Sequence, residues 1–123
     1  MHVWLWWLAD PDRLSKPART AVERSEGIGI SAISCFEVAG LVRRGRIELD
    51  RSPEDWIRTG LAAEGTVALP VVPEVAVAAA LLPATFPGDP ADRLIYAAAR
   101  ANRAVVVTKD KALRAFDPQL TLW

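Results

Sequence analysis

The chain has 123 residues, 51% hydrophobic and 24% charged, which suits one compact domain and excludes a disordered or collagen-like polypeptide. Fifteen basic residues balance fifteen acidic ones, so no broad positive field exists for coating DNA or an anionic membrane. The single cysteine, Cys35, has no intramolecular disulfide partner, which points to a reducing cytoplasm.

The apolar run at 3–9 is far shorter than the roughly 20 residues a bilayer span needs. No basic stretch precedes it and no small-residue cleavage site follows, so neither a membrane span nor a signal peptide is expected. Residues 2–9 instead read as a short helix, with Trp4, Leu5, Trp7 and Leu8 on one apolar stripe. Asp10-Pro11-Asp12 is a turn, and Ser15 caps a second helix reaching about Ser25. A short strand is expected over 27–31, then a helix over 33–44 closed by Gly45. Ser52 and Pro53 open a helix that runs through Trp56 and Ile57 to Gly65. A buried strand over 67–71 and an Ala/Val-rich helix from Pro73 to near Leu82 follow. Asp89 and Pro90 open the next helix, and Val105-Val106-Val107 marks a strand over 104–108. A helix over 111–116 and a strand over 120–123 complete an α/β sandwich around a parallel sheet.

Three acidic positions stand out. Glu37 is the only charge in the stretch 33–42, on the apolar face that carries Ile33 and Leu41. A carboxylate there needs a cation, a donor or a wet cleft, unless it closes a capping box with Ser34 as N-cap. Asp89-Pro90-Ala91-Asp92 forms a complete helix start, with Asp89 at the N-cap and Asp92 at N3, and Asp92 could in addition point into a cleft at the helix entrance. Asp110 follows the strand ending in Thr108, at the sheet edge where ligands of open parallel sheets bind. Oxygen-only ligation by such carboxylates suits Mg²⁺ or Mn²⁺, and the lack of a His/Cys set argues against zinc. No P-loop, serine-hydrolase elbow, zincin or Rossmann motif is present.

Four segments in order carry a family resemblance: His2-Val3-Trp4-Leu5-Trp6-Trp7, Ile30-Ser31-Ala32-Ile33-Ser34 into Glu37-Val38, Gly88-Asp89-Pro90-Ala91-Asp92-Arg93-Leu94-Ile95, and Val107-Thr108-Lys109-Asp110. Together they resemble PIN-domain ribonucleases of the VapC type, over essentially the whole chain. The resemblance implies a three-layer sandwich with a short central parallel sheet flanked by helices. It further implies a Mg²⁺- or Mn²⁺-dependent endoribonuclease that cleaves tRNA or rRNA, forms a homodimer and is neutralised by a cognate antitoxin. By position, Glu37, Asp92 and Asp110 match the family's acidic metal site, with Asp89 flanking it and Thr108 placing a hydroxyl beside it.

Family members open on a strand that ends in a catalytic Asp, whereas this sequence starts at Met1-His2 without them. The expectation is one PIN-like domain over 1–123 that lacks this strand and is impaired in catalysis and stability. An alternative function follows: a truncated or inactive PIN-like protein that only binds RNA or an antitoxin. Arg43, Arg44 and Arg46 form the best basic cluster for RNA phosphate, although they also suit a helix C-terminus. Trp4 and Trp7 are candidates for a partner interface, with core packing as the other reading. His2 reads as solvated, and Cys35 as a small buried hydrophobe.

Overall fold

Residues 2–123 are described by a computed structural model. Helix α1 (His2–Ala9) leads through a 3₁₀ turn at Pro11–Arg13 into α2 (Lys16–Arg24), strand β1 (Ile28–Ser31) and helix α3 (Ala32–Arg43). Helix α4 (Pro53–Leu61), strand β2 (Thr66–Leu69) and helices α5 (Pro73–Ala80) and α6 (Pro90–Ala101) follow. Strand β3 (Val106–Val107), helix α7 (Lys111–Phe116) and strand β4 (Thr121–Leu122) end the chain. The α/β class holds and both strand pairings are parallel. The sheet comes in two halves, β1 with β2 and β3 with β4. Between β1 and β3 lies an apolar slot of about 470 Å³.

Local chemistry sets the boundaries. The Ser15 and Ser52 hydroxyls accept from the Ala18 and Asp55 amides, as N-caps should. Helix α3 starts earlier than its apolar pattern suggests. Ser31 is its N-cap, accepting from the Ile33 amide at 3.3 Å, and Ser34 is buried within the first turn. The box between Ser34 and Glu37 therefore does not form.

Helices α3 and α6 end in the same way. After α3, the Gly45 and Arg46 amides bond back to the Val42 and Leu41 carbonyls, with Gly45 at φ 69°. After α6, the Arg103 and Ala104 amides bond to Arg100 and Ala99, with Arg103 at φ 53°. This second closure takes the Ala104 amide, so β3 begins at Val106 and not at 104. Strand β2 stops at Leu69 because Pro70 offers no N–H.

Packing then joins these elements. Trp4, Leu5, Ile30 and Val38 form one core cluster, and the Trp4 ring meets Trp56 edge-on at 5.1 Å. Small residues let α5 and α6 approach closely, with Val75 and Ala79 against Ala97 and Ala98. Phe86, Tyr96 and Leu113 make the third cluster, and the Tyr96 hydroxyl donates to Asp117 at 2.6 Å. Arg93 locks the α5–α6 connection. Its guanidinium donates to the carbonyls of Ala79, Leu82 and Pro83, at and just beyond the end of α5, and lies over the Phe86 ring.

Candidate active site at the ends of the strands

The carboxyl ends of β1 and β3 open onto a polar cavity of about 310 Å³. Glu37, Asp89, Asp92, Thr108 and Asp110 all line it, so the acidic candidates from separate parts of the sequence share one pocket. Helix α3 contributes Glu37, the start of α6 contributes Asp89 and Asp92, and the link from β3 to α7 contributes Thr108 and Asp110.

Three of these carboxylates also build their own helix starts. Asp89 accepts from the Asp92 amide at 2.9 Å, and Asp92 accepts in return from the Asp89 amide at 3.1 Å. Glycine is required just before them, since a Cβ on Gly88 would stand 2.6 Å from the Asp92 Cβ. Asp110 caps α7 by accepting from the Leu113 amide at 3.0 Å. Its own amide donates to the Thr108 hydroxyl at 3.1 Å, and the Thr108 amide is held by the Leu122 carbonyl. Each Asp thus uses one oxygen locally and has the other available to the cavity. Capping and pocket lining are compatible roles here.

Glu37 differs from the three aspartates. With the N-cap at Ser31 it is the sixth residue of α3, beyond the reach of any N-terminal amide. It makes no ion pair with a described residue. Burial raises its pKa, and the nearby Asp89 charge raises it further. Asp92 feels the same pressures more strongly. Burial, followed by the Asp89 side chain, pushes it up to about 6, with Glu37 adding to the shift. A pocket that raises carboxylate pKa values in this way is short of positive charge.

Among the described residues no three His, Cys, Asp or Glu side chains stand close enough together to hold a metal ion as they are. The donor set nonetheless fits a hard divalent cation. It is all oxygen, half-buried at Glu37 and Asp92, and electrostatically strained without a counter-charge.

A PIN-domain family model matches residues 2–117 of the chain. The chain belongs to the PIN-domain family. A curated relative, Ribonuclease VapC22 of Mycobacterium tuberculosis (strain ATCC 25618 / H37Rv), is 44% identical over 113 residues. That match covers 92% of this chain and 85% of the relative, and places the chain in the VapC branch of the family.

Other sequence candidates fall outside this PIN-domain pocket. Arg43, Arg44 and Arg46 are exposed at and just past the end of α3 and do not line it. Trp4 is 4% exposed and packs in the core, which leaves it no surface for a partner; Trp7 is half-buried in the wall of the slot. His2 is exposed at the rim of the acidic cavity, with its ring 5.9 Å from that of Trp6. Three further lining residues, Val3, Trp6 and Lys109, were not assigned to the site from sequence. The Lys109 ammonium sits 5.7 Å from the Trp6 ring centre, a cation–π contact at the cavity wall. Its position between Thr108 and Asp110 was the available signal. No described helix is long and apolar enough to cross a membrane.

Proposed function

We propose that this PIN-domain chain is a Mg²⁺- or Mn²⁺-dependent endoribonuclease toxin that cleaves cellular RNA of the tRNA or rRNA class. In this reading it acts as a homodimer in the cytoplasm and is neutralised by a cognate antitoxin. The carrying observation is the convergence of Glu37, Asp92 and Asp110, from three elements, on one cavity at the strand ends. The VapC-type relative, itself described as a ribonuclease, supports the choice of RNA.

Glu37, Asp92 and Asp110 would hold the cation, which supplies Lewis acidity toward a phosphodiester and eases deprotonation of water. The chain's own residues orient this set. The reciprocal Asp89–Asp92 hydrogen bonds fix the Asp92 carboxylate, and the Thr108 hydroxyl fixes the backbone at Asp110. Lys109 offers a positive charge to an incoming phosphate at the cavity wall. Arg43, Arg44 and Arg46 are exposed and available for contacts further along the RNA.

Asp92→Asn should abolish divalent-dependent cleavage of total tRNA and rRNA, together with the growth arrest caused by expression. Cleavage that survives this substitution, or that survives EDTA, overturns the reading. The open spacing of the carboxylates favours one rival, a protein that binds RNA or antitoxin without cutting. RNA retention with no cleavage at any Mg²⁺ or Mn²⁺ concentration would select it.

A further inference from the structure

The ring of Trp6 is held from several directions at the wall of the acidic cavity. The Asp10 amide closes the last turn of α1 on the Trp6 carbonyl at 2.7 Å, and the side chain is half-buried. Across the molecule, the Thr108 amide donates to the Leu122 carbonyl at 3.0 Å, which ties the chain after β3 to the chain after β4. Both continuations reach Trp6. The Trp123 ring lies 6.0 Å from it and the Lys109 ammonium 5.7 Å. Arg13 also lies over the ring, at 5.8 Å, but it has Asp10 as an ionic partner at 3.3 Å. Lys109 has none among the described residues. It lines a cavity shared with Glu37, Asp89, Asp92 and Asp110, yet its ammonium pairs with no carboxylate and rests on the ring.

We propose that Trp6 is a positioning residue, whose ring seats the Lys109 ammonium so that the cavity carboxylates stay open to a divalent cation. A lysine stem is long and flexible, and an ammonium beside carboxylates gains by pairing with them. Without its seat, Lys109 would swing toward Asp110, its neighbour in the chain, and occupy an oxygen that the cation needs. Tryptophan gives a cation the best face of any side chain, so the residue type suits the task. The seat can also release what it holds. A surface cation–π contact is about as strong as an exposed ion pair, so the ammonium can leave the ring for a phosphate oxygen when RNA enters. The proposal rests on the metal-dependent ribonuclease reading, and adds to it a residue that acts through Lys109.

The test is calorimetric titration of the full chain with Mn²⁺ in the absence of RNA, comparing the parent with Trp6→Leu, Lys109→Met and the double variant. Trp6→Leu should raise the Mn²⁺ dissociation constant about fivefold, the strength of one exposed lysine–carboxylate pair. Lys109→Met should bind at least as tightly as the parent, and adding Trp6→Leu to it should change nothing further. Trp6→Phe keeps a ring with a weaker pull on a cation; it should fall between the parent and Trp6→Leu, and it carries the test if leucine prevents folding. An equal loss with and without Lys109 would make Trp6 a structural prop, and overturns the proposal. Unchanged Mn²⁺ binding in Trp6→Leu overturns it too, and leaves the ribonuclease reading standing. Mn²⁺ binding by none of these chains up to millimolar concentration overturns the metal reading itself, and the proposal with it.

Discussion

The acidic cavity and the apolar slot touch at Val3, yet their unmet demands are opposite. In the cavity the backbone groups are served by side chains three or fewer residues away, and what remains in excess is negative charge. In the slot there is no charge to balance, and what remains in excess is unpaired strand backbone beside apolar side chains. One region is short of positive charge and the other of strand pairing. The contrast teaches that a site for chemistry can be pre-shaped by local caps even where the sheet beneath it is divided.

The largest way to break the contrast is to remove the wall that the slot shares with the core. Trp4→Ala should cost about 3–5 kcal/mol in urea unfolding, because the Trp4–Trp56 contact and the cluster around Val38 collapse together. A loss below about 1 kcal/mol would mean that Trp4 is not a true core residue.

Asp92→Asn should act in the opposite direction on stability. The folded protein holds Asp92 at about 6, above its unfolded value near 3.9, so folding favours the protonated form. That penalty is absent in acid and grows as pH rises from about 4 to about 6. In EDTA at pH 7 the substitution should raise stability by about 1 kcal/mol, reduced from the full shift because the carboxylate is half-exposed. The gain should vanish below about pH 4. A pH-independent effect would show that charge crowding is not its cause.

Tyr96→Phe tests a polar pair away from both regions. Its hydroxyl is the first cause that lowers the Asp117 pKa, so the stability from this pair is present above the unfolded value near 3.9 and fades as pH falls through the depressed folded value. The expected cost is about 1 kcal/mol at pH 7 and little in strong acid. The smallest effect should come from Arg103→Gly, which relieves a left-handed backbone that Gly45 already occupies freely. A gain of about 0.5 kcal/mol in thermal unfolding is expected, after the extra chain entropy of glycine is set against it.

Helix starts were legible because their signals are local: Ser15, Ser52 and Asp89 each sit beside the amides they cap. The acidic trio was legible as residue types at strand and helix ends. Ser31 was misread for Ser34 because a serine capping from the last residue of a strand looks like strand, and only tertiary pairing with Leu69 reveals that it is both. The division of the sheet was legible only through the family resemblance, which places a strand absent from this sequence at the sheet's centre. Which edges face each other depends on how α1, α2 and α6 pack around β1 and β3, and no short window of sequence contains that information.

The clamp made by Arg93 sets how much change the segment before α6 can absorb. Its guanidinium fixes the carbonyls of residues 79, 82 and 83, and the Asp89–Asp92 box fixes the other end. A residue inserted at 84–85 would leave both fixtures in register. One inserted between Asp89 and Asp92 would pull the box apart and rotate Asp92 by about 100° around the helix, out of the cavity. Lysine could not stand in for the arginine, since one ammonium lacks the forked reach to gather three carbonyls. Natural length variation near this site should therefore be confined to a window of about two residues, at 84–85.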